Sequence, residues 1–207
     1  MISDRFSGSN SARRRGAARR LRLPFAVVTM ALLLFAAHGQ QQRRSARTAL
    51  AEGEDAFRRG DFGRAADRFQ AALEIDPASA AVRQRLVAAV AEISAASLAE
   101  ASGAVLDAEA RAGLLPSSGH PIANEELRQS LATRWSTPIA AGIDTASKAL
   151  TIDREYEGAM VTLDGWHRLA ADLAPSLDEY QRHMTAANEW RHKVLDTRRL
   201  KAQRSAP

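Results

Sequence analysis

Cysteine is absent from this 207-residue chain, and aromatic residues make up only 5% of it. Without cysteine the protein has no disulfide, no thiolate metal ligand and no cysteine nucleophile. The hydrophobic fraction is nevertheless 45%, with much of it alanine, and this composition favours thin layers of closely packed helices over a bulky globular core. The length allows one ordinary domain or two small modules.

Strand patterns and catalytic motifs are also lacking. From Ala46 onward no stretch alternates between apolar and polar residues as a half-buried strand does. The sequence contains no G-x-S-x-G, Walker A, dinucleotide-binding glycine or H-E-x-x-H motif. We therefore predict an all-α fold with no catalytic residues, no metal site and no cofactor.

Charge is distributed unevenly along the chain. Residues 1–39 contain seven of the 29 Lys and Arg residues but only one of the 24 Asp and Glu residues, which leaves 22 basic and 23 acidic residues in the rest. The whole chain carries +5, yet the part after residue 39 is close to neutral. Because the basic excess is confined to the leader, the pI near 10.3 does not indicate a nucleic-acid partner.

The leader combines its arginine cluster with an uncharged run, LPFAVVTMALLLFAA at 23–37. This run rises only about 22 Å as a helix, short of the roughly 30 Å hydrocarbon core. The pattern favours a signal peptide cleaved after Gly39; an uncleaved anchor over residues 21–39 is the alternative. Both place residues 40–207 outside the cytoplasm, because positive charge stays inside. A cytosolic protein with a disordered tail over residues 1–20 would leave the apolar run unexplained.

Helix signals dominate the rest of the chain. A first segment, roughly 45–59, ends in two arginines followed by Gly60, a typical helix stop. Asp61 is placed to cap the next helix, and Asp76 and Pro77 end it, since the residue before a proline avoids the α region. A connection this short makes the two helices antiparallel. We expect six or seven helices after residue 40.

Residues 46–79 resemble one tetratricopeptide repeat, a helix–turn–helix unit of about 34 residues. Five of the family's eight signature positions match, and a glycine occupies the usual turn: Gly53, Ala65, Phe69, Ala72, Pro77 and Gly60. The resemblance implies an antiparallel helical-hairpin stack, preceded here by the signal or anchor helix. The small residues at these positions let the two helices approach closely.

Two later segments carry weaker likenesses to the same family. Residues 148–160, KALTIDREYEGAM, repeat the Ala-Leu-x-Ile-Asp exit of the first repeat. Residues 159–173 with the final helix are similar to the closing segment of some bacterial cell-envelope tetratricopeptide proteins.

An N-terminal module is predicted for residues 40–112. Within it, residues 80–112 are interpreted either as a degenerate second repeat that turns near Ser94–Ser97 or as one unbroken helix. The stretch GLLPSSGHPIA at 113–123 is the clearest linker, with two prolines and two glycines.

A C-terminal helical module is predicted for residues 124–200, with a tail at 201–207. Asn124 is placed to cap its first helix. Pro138 is expected to interrupt the helical pattern, and Ser176 starts a capping box that opens the last helix.

Few residues are candidates for chemistry. Asp164 and His167, three apart on a helix, would both face one metal ion, but no third ligand lies at a diagnostic spacing. Glu179 and His183 form an i,i+4 pair that favours a surface contact. Packing is favoured over ligand stacking for the three tryptophans of this alanine-rich chain: Trp135, Trp166 and Trp190.

The C-terminal end is basic, with six cations that suit either a solvated helix end or contact with anionic lipid or an acidic partner. They are Arg191, Lys193, Arg198, Arg199, Lys201 and Arg204.

The resemblance also implies where a partner would bind, because tetratricopeptide arrays bind partners in the groove lined by their first helices. The corresponding positions here are Arg47, Leu50, Glu54, Phe57 and Arg58. One subgroup clamps a C-terminal carboxylate with Lys and Asn where this chain has Leu50 and Glu54, which argues against that mode. A mixed-charge, partly apolar groove favours an amphipathic helix or extended peptide.

These observations favour a non-catalytic interaction scaffold for a protein or peptide on the outer, periplasmic side of a bacterial inner membrane. A structural accessory subunit of a larger envelope or membrane complex is the alternative. A metal-dependent enzyme is a remote third possibility and would need Asp164 and His167 to form its site.

Overall fold

The computed structural model describes residues 22–115 and 120–206, and it describes side chains from Gly39 onward. These residues form six helices, and no strand occurs among them, which confirms the all-α prediction. The helices are α1 (Arg22–Arg58), α2 (Phe62–Ile75), α3 (Ala80–Arg111), α4 (Glu125–Ile152), α5 (Glu157–Asp172) and α6 (Leu177–Ser205). Helix α1 begins well before the predicted start near residue 45.

The chain divides into two units, Met1–Ser45 and Ala46–Pro207. Most of the predicted leader, residues 1–21, lies outside the described residues, as do the linker residues 116–119 and Pro207. In the second unit, each helix from α2 to α5 packs against the helix that follows it in the chain, and α3 also contacts α5.

The predicted stop after α1, the caps of α2, α4 and α6, and the end of α2 are confirmed. Gly60 follows α1 with φ of +77°, a conformation that glycine adopts without steric cost. Helices α2, α4 and α6 are capped by Asp61, Asn124 and Ser176, whose side chains accept hydrogen bonds from the amides three residues later. Helix α2 ends at Ile75, directly before Asp76. Local chemistry therefore fixes these boundaries.

Close contact between α1 and α2 depends on Gly53. A β-carbon at this position would lie 2.6 Å from Cε1 of the fully buried Phe69. Ala65 and Ala72 are equally buried on the same face of α2. Ala49 and Ala56 of α1, together with Val82, Leu86 and Ala89 of α3, complete this first core cluster. The alanines keep the helices close enough for one phenyl ring to fill the space between them.

Helix α3 is continuous, so the turn predicted near Ser94–Ser97 was wrong and the alternative of one unbroken helix is correct. The Ser97 hydroxyl bonds the carbonyl of Ile93 one turn earlier, as helical serines do. Ser94 is buried and makes long-range hydrogen bonds. Residues 80–112 are thus one helix of a hairpin whose other helix is α4.

Pro138 does not end its helix, contrary to expectation, because α4 continues from Glu125 to Ile152. An internal proline removes one backbone hydrogen bond and crowds the preceding turn. Trp135, Ile139 and Gly142 are buried on either side of it, and their packing holds the helix together through the defect.

The second and larger core cluster joins α3, α4 and α5 around Trp166, which is fully buried. The indole Nε1 of Trp166 donates to the Ser94 hydroxyl at 2.9 Å, and that hydroxyl donates to the carbonyl of Gly142 at 2.7 Å. A β-carbon on Gly142 would lie 2.1 Å from Cε2 of the same indole. Three helices therefore meet at one point, where α3 contributes the serine hydroxyl, α4 the glycine and α5 the indole ring.

The segment predicted as a linker contributes to this core. Ile122 is fully buried, and its amide donates to the carbonyl of Asp172 at 2.9 Å. Residues 101–105 of α3 and 131–139 of α4 share the same cluster, so the two modules predicted on either side of the segment have one hydrophobic core in common.

Among the residues searched, one helix, Ala80–Arg111, is long and apolar enough to cross a membrane by length and composition. It is α3, and 33% of its most apolar stretch is buried inside the protein. A core helix meets the same two criteria.

We predict that Gly142→Ala destabilises the protein by about 3 kcal/mol or more, the upper part of the range for overpacking, because the new methyl group would overlap a buried indole that cannot move. Gly103→Ala is the matched control. Gly103 lies in α3 with nothing within 4 Å of its β-position, so this change should stabilise by about 0.5–1 kcal/mol. Urea unfolding measures both, and equal stability of the two variants would contradict the packing described.

Candidate functional site

The predicted partner-binding residues lie on one side of α1, near α3. Arg47 and Arg58 are exposed, whereas Leu50, Glu54 and Phe57 are half-buried. Leu50 and Phe57 pack against the first core cluster. The surface is therefore a set of partly covered apolar groups between exposed arginines.

Phe57 of this surface packs against an aromatic ring of α2. The rings of Phe57 and Phe62 meet edge to face with centroids 5.2 Å apart, a favourable arrangement for two aromatic quadrupoles. Phe62 opens α2, so the contact fixes the end of α1 against the next helix. Phe57 keeps part of its ring open to solvent.

Ion pairs connect α1 to both neighbouring helices. Glu54 pairs with Arg85 of α3 at 2.7 Å, and Glu52 pairs with Arg68 of α2 at 3.1 Å. Glu54 is thus already engaged by a cation at the predicted groove. A ligand there would meet Glu54 paired with Arg85, Arg58 paired with Asp55 at 3.4 Å, and the exposed cation Arg47.

A second concave region, not predicted from the sequence, lies where α3, α5 and α6 meet. Its cavity of about 300 Å³ is lined by residues that include Glu92 and Ala95 of α3, Tyr156 before α5, Val161 of α5 and Arg198 of α6. Burial raises the pKa of Tyr156, and the charges of Glu92 and Asp153 raise it further. These residues come from three separate helices and one turn, so the periodicity of a single segment does not indicate that they lie together.

The basic end of α6 is engaged by two acidic residues at the start of α5. Arg198 and Lys201 pair with Glu157 at 2.8 and 3.2 Å, and Arg204 pairs with Glu155 at 2.8 Å. The hydrogen bond from Arg204 lowers the pKa of Glu155, and that from Arg198 does the same for Glu157. These cations thus form surface ion pairs between α6 and the residues at the start of α5, whereas a solvated helix end or an external partner was expected from the sequence.

Asp164 and His167 have different hydrogen-bond partners. The Asp164 carboxylate accepts from Arg168 at 2.8 Å and from Arg191 of α6 at 3.5 Å. His167 contacts His183 of α6 instead, with the two Nδ1 atoms 3.3 Å apart. In the part of the chain searched, no three His, Asp or Glu side chains are grouped so as to hold a metal ion.

Burial is the main influence on the pKa values of both histidines. It lowers the pKa of His167, and the neighbouring His183 lowers it further, while Asp164 raises it. It also lowers the pKa of His183, against an upward effect of Glu179. Glu179 itself pairs with Arg182 at 3.2 Å. Both rings are therefore held in the neutral form near pH 7.

The tryptophans are placed as packing residues in two cases. Trp135 and Trp166 lie in the larger core cluster. Trp190 is half-buried on α6, with the Lys193 ammonium 3.8 Å from its ring centroid, a cation–π contact.

Two acidic residues lie close together at the C-terminal ends of α3 and α5. Glu109 is buried. Burial raises the pKa of Asp172 to about 6, with Glu109 adding to the effect and Arg168 and His120 opposing it. Strongly shifted carboxyl groups are frequent at functional sites, but this one lies beside the backbone contact to Ile122 and is explained by packing.

No known protein family matches the chain, and no curated protein is significantly similar to it.

We predict that Asp172→Asn stabilises the protein at pH 8. The folded pKa of about 6 lies above the ordinary value of 3.8, so stability falls as the pH rises from about 4 to about 6, and the penalty is complete above pH 6. Two pKa units correspond to about 3 kcal/mol, which solvent screening at this partly exposed site reduces to about 1–2 kcal/mol.

Most of the gain should disappear at pH 4, because the folded wild-type chain is largely protonated at Asp172 there and pH 4 is close to the ordinary pKa of 3.8. Thermal melts at pH 4 and pH 8 measure it. Asp67→Asn, at an exposed position of α2, is the control and should change the melting temperature little. An equal gain in stability for Asp172→Asn at pH 4 and pH 8 would contradict the raised pKa of Asp172.

Proposed function

We propose that residues 46–207 form a non-catalytic interaction scaffold built from three tetratricopeptide-like hairpins, α1–α2, α3–α4 and α5–α6. The observation that carries the proposal is the packing order. The second helix of each hairpin packs against the first helix of the next one, as α2 does against α3 and α4 against α5. In addition, α3 contacts α5, the first helix of the following hairpin. Stacked helical repeats bury their cores in this way and leave one continuous surface for a partner.

Equivalent local structure supports the repeat. Helices α2 and α4 end with the same residues, Ala-Leu-x-Ile-Asp, and the capping amides of Asp76 and Asp153 each donate to an alanine carbonyl four residues earlier, at 3.0 Å. Those alanines, Ala72 and Ala149, are both buried. The Gly53–Phe69 contact matches the role that the family assigns to its small signature residues.

The chemistry of the α1 surface indicates the kind of partner. Leu50 and Phe57 offer partly exposed apolar area, Glu54 is paired with Arg85, and Arg47 and Arg58 are exposed. An amphipathic helix or extended peptide that carries acidic groups beside apolar side chains fits this combination.

A structural accessory subunit is the second candidate. Leu50 and Phe57 are half-buried against their own core, which limits the area they offer a peptide. Large apolar side chains are exposed elsewhere: Leu106, Val161, Leu195 and Leu200, at 51%, 52%, 43% and 48%. Contact with neighbours over several faces would cover them.

We further propose that the scaffold acts on the periplasmic side of a bacterial inner membrane, after cleavage near Gly39 or while anchored through residues 21–39. The support is the arginine-rich leader followed by an uncharged run, since moving each arginine through hydrocarbon costs about 2.5–3.5 kcal/mol on the translocon scale.

We predict that Phe57→Ala combined with Arg58→Glu abolishes partner binding while the protein stays helical. The change removes apolar contact area and reverses one charge of the α1 surface. Affinity capture from solubilised membranes, with quantitative comparison of the bound proteins, measures the effect, and circular dichroism and thermal melting report the fold.

Phe62→Ala combined with Arg64→Glu is the matched control. It removes the same ring–ring contact and reverses an exposed arginine, but both substitutions are on α2 and every side chain of the α1 surface is kept. The proposal expects partner loss only in the first variant. Equal loss in both would assign the effect to stability, and retained binding in both would assign it to another surface.

We also predict that a reporter active only outside the cytoplasm gives a signal when fused after Pro207. Mass spectrometry of the parent should then find Gln40 as the first residue or an intact leader in the membrane fraction. An inactive reporter together with soluble full-length protein would contradict export and favour a cytosolic adaptor.

A further inference from the structure

The histidine pair between α5 and α6 has a geometry that the scaffold role does not use. His167 Nδ1 and His183 Nδ1 lie 3.3 Å apart, and their rings are tilted by 34° with centroids separated by 5.6 Å. Two nitrogen ligands bound at about 2.0–2.1 Å to one tetrahedral ion lie about 3.3–3.4 Å apart. The distance between the two nitrogens thus equals the distance between two ligands of one metal ion.

We propose that His167 and His183 form a two-histidine site for a late first-row divalent transition-metal ion such as Zn²⁺ or Cu²⁺. Imidazole pairs suit these ions, whereas Mg²⁺ and Ca²⁺ require oxygen ligands. Water would complete the coordination, since both histidines are partly exposed.

The protonation state favours binding. Without a metal, one ring donates its Nδ1 proton to the other ring's Nδ1. Binding requires both Nδ1 atoms to be free, so that proton moves to Nε2 of the same ring and the net charge of the pair does not change. Burial keeps the pKa of both histidines below the ordinary value, and an imidazole must be neutral to ligate.

Two carboxylates and their three arginine partners lie near the pair. Asp164 is shared by Arg168 and Arg191, and Glu179 is paired with Arg182. Because each carboxylate already has a cationic partner, the two histidines supply the protein ligands and the carboxylates tune the local field.

The position of the site gives it a structural consequence. His167 lies on α5 and His183 on α6, 16 residues apart along the chain, on helices whose backbones pack against each other. A bound ion would crosslink the last hairpin, and it would favour the folded state because the unfolded chain does not hold the two rings together.

Calorimetric titration of the full-length protein, purified without a polyhistidine tag, with Zn²⁺ and then with Cu²⁺ tests the proposal. We expect one ion per chain, with tighter binding of Cu²⁺, and a rise in melting temperature with Zn²⁺. His167→Gln and His183→Gln should each weaken binding at least tenfold and remove that rise. The control His192→Gln, at an exposed position of α6, should change neither result.

Unchanged Zn²⁺ affinity in both glutamine variants, or an equal loss in the His192→Gln control, would overturn the proposal. A second measurement needs no variant and therefore holds even if a substitution unfolds the protein. In NMR spectra of the parent, Zn²⁺ should shift the ring nitrogen signals of His167 and His183 ahead of those of the other three histidines. Signals of these two rings that stay in place at saturating Zn²⁺ would equally refute the site.

Discussion

One buried hydroxyl group determines how the middle of this protein is assembled. Ser94 accepts a hydrogen bond from the Trp166 indole and donates one to the Gly142 carbonyl, so α3, α4 and α5 are joined at a point from which water is excluded. A buried donor or acceptor that loses its partner costs about 1–3 kcal/mol, and each of these three groups depends on the others. The arrangement also requires a glycine, because the indole occupies the space that any β-carbon of residue 142 would need.

The same packing arrangement occurs twice in the second unit, once between α1 and α2 and once between α4 and α5. Gly53 faces the Phe69 ring as Gly142 faces the Trp166 ring. In both cases an aromatic side chain fills the interior of a layer whose other members are mostly small, so a chain with 5% aromatics still achieves a dry core. A few large side chains that pack against glycines fill the space that many medium-sized side chains would otherwise fill. Dispersion contacts with the closely approaching backbones compensate for the modest apolar area of alanine.

Features set by local chemistry were predictable from the sequence. The stops and caps at Gly60, Asp61, Asn124 and Ser176 depend on residues within one turn, and all were found. Features set by tertiary packing were not. A turn near Ser94–Ser97 was one of two interpretations of residues 80–112, and a break was expected at Pro138, but burial of the neighbouring residues keeps both segments helical. The histidine pair, the cavity beside Tyr156 and the partners of the C-terminal cations involve different helices, and a single sequence carries no sign of those pairings. The resemblance of residues 46–79 to a repeat gave the close approach at Gly53, whereas the partner-binding residues derived from it stay a prediction.

The spacing of the Ser94 contacts along the chain has a consequence for the order of folding. Ser94 is 48 residues from Gly142 and 72 from Trp166, so closing these contacts needs α4 and α5 to be present and carries the entropy cost of large loops. The contacts of α1 with α2 close over far fewer residues. We expect the first hairpin to form early, while the chain emerges from the ribosome or a translocation channel, and α3 to remain only partly covered until α5 arrives. During that interval its long apolar face is open to chaperones and to other chains.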